Sequence, residues 1–183
     1  MDAISASCNT QYHADTANSG KRPLSAIKLL VLHSTEGGTA AGVARMFSGK
    51  GAEGSAHLVI DDKSCYRCLA NDEIPWAAPS ANTQGFHIEQ CGYAAWTAAE
   101  WEKHLSMLHR VAYKLAIHSI AFKIPLVSLD AAALKAGKKG VTTHAQISLA
   151  WPNAQGNHHD PGTGYPMALV LSLAKHYAQE MNV

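Results

Sequence analysis

The sequence predicts an α/β protein, a single domain with a central mixed β-sheet flanked by helices. Three observations support this. An apolar run of strand length, AIKLLVLH (26–33), is followed after a short loop by a helical segment, TAAGVARMFSG (39–49). A hairpin pattern, SAHLVIDDKSCYRCLA (55–70), breaks that alternation, so the sheet cannot be wholly parallel. Two longer helical patterns follow, one over 97–120 and one from Pro166.

Residues 1–25 are polar and rich in Ser, Asn and Thr, and read as an irregular arm laid over the domain. The leucines and Val31 of 26–33 mark a buried strand that ends at His33, where the loop STEGGT begins. Thr39 is the expected N-cap of the next helix, with Gly49 near its end. In 55–70 two strands meet around DDKS. A loop bearing Trp76 leads to QGFHIEQC (84–91), where alternation puts Phe86, Ile88 and Gln90 on one face and His87 and Glu89 on the other. Thr97 and Glu100 form a capping box for the helix over 97–120, and Trp101, Leu105, Leu108, Ala112 and Leu115 repeat at helical spacing. The last helix buries Met167, Leu171, Ala174, Ala178 and Met181. There is no internal repeat, linker or low-complexity tract.

At 183 residues, with 47% hydrophobic and 16% charged residues, the chain has the composition of one folded domain. A net charge of +1 without basic runs excludes binding to nucleic acid by phosphate neutralisation. The start lacks a basic segment followed by an apolar stretch, so no signal peptide is expected, and AIKLLVLH is too short to insert in a membrane. Synthesis is therefore expected in the cytosol. Cys8, Cys65, Cys68 and Cys91 do not form a secreted disulfide pattern. CYRC has CxxC spacing, but with no second pair and no nearby His it reads as structural rather than zinc-binding.

The compositional oddity is the 11 histidines. Four polar clusters sit at the ends or on one face of predicted elements: His33 with Ser34 and Thr35, His87 with Glu89, His144 in GVTTHAQIS, and GNHHDPGTGYP (156–166). In the last, Pro161 and Gly162 make a good turn, but a turn does not need His158 and His159. Alone, that stretch is either a plain loop or a metal or catalytic loop, and each lone His reads as a hydrogen-bonded structural residue. Together they supply the inventory of a hydrolytic zinc site. Such a site needs three protein ligands and an open position. It also needs a carboxylate close to the metal, but not bound to it, to move the water's proton. No two of these residues share a local motif such as HExxH.

The segments LLVLHSTEGG, SAHLVID, GFHIEQCG, THAQIS and HHDPG, in this order, resemble the zinc-dependent N-acetylmuramoyl-L-alanine amidases. That family includes phage endolysins, cytosolic muropeptide amidases and peptidoglycan recognition proteins. The likeness runs from about residue 26 to the C-terminus, and the unsignalled start with STEGGTAAGVARMF is most similar to the endolysin branch. The resemblance implies residues 26–183 as the catalytic domain, one Zn2+ per chain, and His33, His144 and Asp160 as its ligands. Glu89 matches the general base of the cytosolic muropeptide amidases. Ala56 stands where other branches carry a catalytic Tyr, which shifts the proton work to Glu89. His158 stands where many members have a Lys that supports the oxyanion. His57, His87 and Trp76 are candidate substrate contacts, each with packing as the alternative.

The implied partner is bacterial peptidoglycan, cut between the muramoyl lactyl group and L-alanine by a monomer. The implied location is the host cytoplasm until a membrane lesion opens the way to the wall. The rival reading is a non-catalytic muropeptide-binding module. Such modules lack a zinc ligand, and this chain keeps all three. A histidine-rich metal buffer would take several metal equivalents and turn nothing over.

Overall fold

The computed structural model describes residues 10–11 and 17–181. In chain order it has β1 (Thr10–Gln11), β2 (Asn18–Lys21), a 3-10 turn (Leu24–Ala26), β3 (Leu29–Ser34), α1 (Ala40–Phe47), β4 (Leu58–Ile60), β5 (Cys65–Arg67), β6 (Glu73–Pro75) and β7 (Gly85–Gln90). There follow α2 (Ala98–Glu102), α3 (Leu105–Phe122), α4 (Ala131–Lys135), β8 (Gly140–Thr143), α5 (His144–Ala150), α6 (Pro152–Gln155) and α7 (Met167–Met181). Most of the expected arm, and Cys8 with it, lies outside the described residues. The part that is described carries β1, which joins the sheet beside β5, then β2 and most of the 3-10 turn, so it is not wholly irregular.

Every residue of β3 is buried, as only a central strand covered on both faces can be. The sheet runs β1-β5-β4-β7-β3-β8, and β4, β7, β3 and β8 run parallel to one another. β5 turns back antiparallel on β4, which is the hairpin expected around DDKS. β2 and β6 form a separate antiparallel pair. This is the single-domain mixed sheet that the sequence predicts.

On one face, Leu30, Leu32, Leu58, Ile60, Phe86 and Ile88 pack against α3 and α7 in the main core. Burying each such side chain contributes about 1.5–3 kcal/mol. The opposite face is divided. Leu29 and Val31 pack under α4 and α5 with Leu134 and Ile147, whereas Val59 packs under α1 with Val43 and Phe47. Between these two apolar clusters runs β7, whose residues on that face, Gly85, His87 and Glu89, give neither cluster an apolar side chain. Cys65 joins the main core and Cys68 the α1 cluster, so the CxxC pair is divided between two cores and cannot share an ion.

The helix expected over 97–120 is broken at Lys103–His104 into α2 and α3. Asp62, in the turn between β4 and β5, is the cause. One of its oxygens accepts the Met107 backbone N–H at 3.1 Å, and the other lies 2.5 Å from His104 Nδ1. That gives α3 a new start that a continuous helix would forbid. The short elements α4, β8, α5 and α6 carry too few periodic residues to be read in advance.

Residues 156–165 form the loop between α6 and α7 and lie against residues 94–97. Gly162 has φ +90°, and a Cβ on it would overlap the Ala94 carbonyl oxygen. Gly164 meets the Trp96 carbonyl in the same way. The two glycines of DPGTG therefore let this loop touch its neighbour backbone to backbone.

Two consequences are measurable. Gly162→Ala should lower stability by at least about 2 kcal/mol in urea denaturation, through a strained φ and backbone overlap. Wild-type stability in that variant would show that the loop does not need the close approach. His118 is 3% exposed, stacked between Phe86 and Phe122, and burial lowers its pKa to about 4. The unfolded chain then binds the proton first, so stability falls as pH drops from about 6.5 to about 4, by about 3 kcal/mol from this residue. In His118→Phe the acid slope should be shallower by close to one proton, and an unchanged slope would exclude the assignment.

Candidate metal centre

His33 is the fifth residue of β3 and faces away from the main core, at the carboxyl end of the parallel strands. β8 pairs with β3 up to Thr143, which then caps α5 by accepting the Gln146 N–H at 3.3 Å. The next residue, His144, is thereby delivered to the level of His33. Asp160 comes from the loop before α7 and is fixed by its own carbonyl, which accepts the Ala145 N–H at 2.9 Å. Three separate elements thus deliver three side chains to one point.

The ligand atoms of His33, His144 and Asp160 all lie within 4.8 Å of one another. His33 Nδ1 is 3.2 Å from one Asp160 oxygen and His144 Nδ1 is 3.1 Å from the other. Four-coordinate zinc, with N and O ligands at about 2.0–2.1 Å, sets neighbouring ligand atoms about 3.3 Å apart. Spacing and donor types therefore fit a divalent ion. Burial alone would raise the Asp160 carboxyl. The hydrogen bonds and charges of His144 and His33 outweigh burial and hold it well below the usual carboxylate range.

Glu89 stands in register with His33 on the adjacent strand β7. Its Oε2 is buried and has no hydrogen-bond partner among the described residues. Burial first, then the negative charges of Asp160 and Glu36, push its carboxyl up to about 8. Glu36 itself is held at φ 54° by accepting from Ser34 Oγ at 2.7 Å and from the Ala94 N–H at 2.9 Å.

His158 is half exposed and stacks on His144 with ring centroids 4.0 Å apart. Burial and the neighbouring His144 lower its pKa, so it offers a neutral N–H rather than a positive charge. Its ring also lines a cleft of about 720 Å³ with Thr143, Gln146, Tyr165 and Met167. The cleft borders the cluster through His158 without being lined by the three ligand candidates.

His57 and His87 are not where a substrate contact would be. Both are fully buried, so neither has surface to offer a ligand. His57 stacks on Phe86 and accepts the His87 backbone N–H on Nδ1 at 3.0 Å. Burial and then nearby positive groups hold both rings well below the usual imidazole pKa. Trp76 is 40% exposed, but its carbonyl accepts the Ser55 N–H, which is level with Gly85. It therefore sits toward the amino end of the strands, away from the cluster.

Two residues with a structural part in the site were not foreseen. Gln90 donates from Nε2 to the His33 carbonyl at 3.1 Å and accepts from Tyr165 Oη–H at 2.8 Å. Both side chains are buried, so this bridge ties the loop after Asp160 to the strand of His33. A Gln on the apolar face of a strand was the available signal.

Comparison with known proteins places the fold that carries this cluster. The chain overlays the Staphylococcus aureus hydrolase AmiA, solved with its ligand, at a TM-score of 0.73 and 15% identity, over 96% of this chain and 87% of that one. A mutant endolysin from Bacillus subtilis gives 0.58 at 21% identity, over 78% and 87%. The N-acetylmuramoyl-L-alanine amidase LysC from Clostridium intestinale gives 0.57 at 12%, over 94% and 97%. At such identities the likeness is one of fold. No curated protein matches the chain. The family model for N-acetylmuramoyl-L-alanine amidase matches residues 23–163, a span that holds His33, Glu89, His144 and Asp160 in the arrangement described, and the chain belongs to that family.

Proposed function

We propose that this amidase is zinc-dependent, with one ion held by His33, His144 and Asp160, and that it serves as a phage endolysin. The enzyme hydrolyses peptidoglycan as an N-acetylmuramoyl-L-alanine amidase. The observation that carries the zinc reading is the convergence of two imidazole nitrogens and a carboxylate within 4.8 Å, beside an unpartnered buried oxygen of Glu89. Zinc, when bound, supplies electrophilic polarisation of the scissile carbonyl and makes water acidic enough to act near neutral pH.

The protein's own groups do the rest. Glu89 takes a proton from the attacking water as its oxygen adds to the lactyl carbonyl carbon. His158 donates its N–H to the oxygen that gains negative charge. Glu89 then returns the proton to the L-alanine nitrogen as the C–N bond breaks, leaving a lactyl carboxylic acid and an amine, between which the remaining proton then equilibrates to give carboxylate and ammonium. A divalent ion beside Glu89 would oppose the burial and negative charges that raise its pKa, and so favour the ionised form a base needs.

The catalytic unit in this reading is 26–183, preceded by the arm 1–25, of which only residues 10–11 and 17–25 are among the described residues. Arg22 of that arm is buried and donates to the carbonyls of Asn82 and Thr83 at 2.5 and 2.9 Å. The endolysin role is supported by the fold shared with the Bacillus subtilis endolysin. In the same reading the enzyme acts as a monomer and reaches the wall through a separate membrane lesion; among the described residues no helix is long and apolar enough to cross a membrane.

The purified protein should hold one zinc and release L-alanine amino ends from peptidoglycan, and a chelator should stop the release until zinc is restored. Glu89→Gln should keep the zinc and lose about 10²–10⁴ in rate; full activity would remove Glu89 from the mechanism. Expressed inside bacteria, the enzyme should leave the culture turbid until the membrane is permeabilised, and then clear it. Clearing without permeabilisation, or none after it, would end the endolysin reading.

A further inference from the structure

We propose that His87 is a positioning residue that fixes the ring tautomer of His33 and so aims a bare Nδ1 at the metal. This rests on the assignment of His33 as a ligand. His33 Nε2 lies 2.9 Å from His87 Nδ1, and His87 Nε2 lies 3.4 Å from the Ala81 carbonyl oxygen. The ring of His87 is wholly buried and that of His33 nearly so, which leaves water out of the chain.

A backbone carbonyl has no proton to give, so Ala81 can only accept. His87 must then carry its proton on Nε2. An ionised His87, buried and with no carboxylate among its hydrogen-bond partners, would lose its hydration without compensation. Its Nδ1 is therefore bare and accepts from His33 Nε2–H. With that proton fixed on Nε2, Nδ1, the atom that faces Asp160, is the one left to ligate once a cation stands between it and the carboxylate. The opposite arrangement would set two lone pairs against each other at Ala81.

Gly85 makes this chain sterically possible. A Cβ there would overlap His87 Nε2 and crowd the Ala81 carbonyl, so the ring reaches its acceptor only because residue 85 has no side chain. The Gln90 bond to the His33 carbonyl holds the ligand's backbone while His87 holds its ring. Together they orient His33 from both ends, as partners behind a metal-ligating imidazole do.

The test compares zinc affinity, by competition with a fluorescent chelator, in wild type, His87→Leu and His87→Asn. Leu removes the acceptor, and affinity should fall 10- to 100-fold. Asn places Oδ1 near the position of Nδ1 and should bind zinc almost as wild type does. Equal affinity in all three, or equal loss in both variants, overturns the proposal. The wild-type protein gives a second reading that needs no variant to fold: long-range 1H–15N spectra of the metal-free protein should put the His87 proton on Nε2. A proton on Nδ1 instead overturns the proposal. If the wild type takes up no zinc, the ligand assignment fails, and the spectra still decide the hydrogen-bond chain.

Discussion

The carboxylate of Asp160, shared between the Nδ1 atoms of His33 and His144, is the contact on which the site depends. It joins a strand end, a helix start and a loop that lie far apart in sequence. Each of the three is held by its own local bond: His33 through the Gln90 amide on its carbonyl, His144 by the Thr143 cap, and Asp160 by the Ala145 N–H. The cluster is therefore preorganised by the backbone around it, and the side chains would have little freedom left to lose on binding the proposed ion.

The parallel sheet makes that convergence inexpensive. Its strands β3, β4, β7 and β8 all end at one edge, so residues at equivalent levels of β3, β7 and β8 meet without any excursion of the chain. The cost appears one layer below, where His33, His87 and His57 must be buried. They are accommodated by bonds to one another and to backbone groups, the form in which low-dielectric interiors tolerate polar side chains. Burial also keeps His57, His87 and His118 neutral at physiological pH. The histidine excess of this chain therefore belongs partly to the interior as well as to the site.

Much of this was legible in the sequence. The continuous apolar run to His33, the alternation in GFHIEQ and the Thr39 cap are local patterns, and the structure keeps all three. The site residues His33, His144 and Asp160 were identified through resemblance, because no spacing rule links residues that meet only through the tertiary fold. The break between α2 and α3 was illegible for a related reason: its cause, Asp62, is a capping group 42 positions from His104. For His57 and His87 the sequence leaves contact and packing open, because alternation tells which face a side chain takes, but not whether that face is roofed. The loop that carries Ala81 roofs His87 and Arg22 roofs His57, and nothing in either strand's own pattern announces it.

The division of the second sheet face into two apolar clusters has a consequence for how this scaffold can vary. The helix α1 stands on its own patch of side chains, whereas α4 and α5 stand on another, with the polar strip of β7 between them. These two helical layers thus rest on independent foundations. Remodelling α1 leaves the cluster under α5, the helix that begins at His144, undisturbed, so shape and chemistry are free to diverge separately.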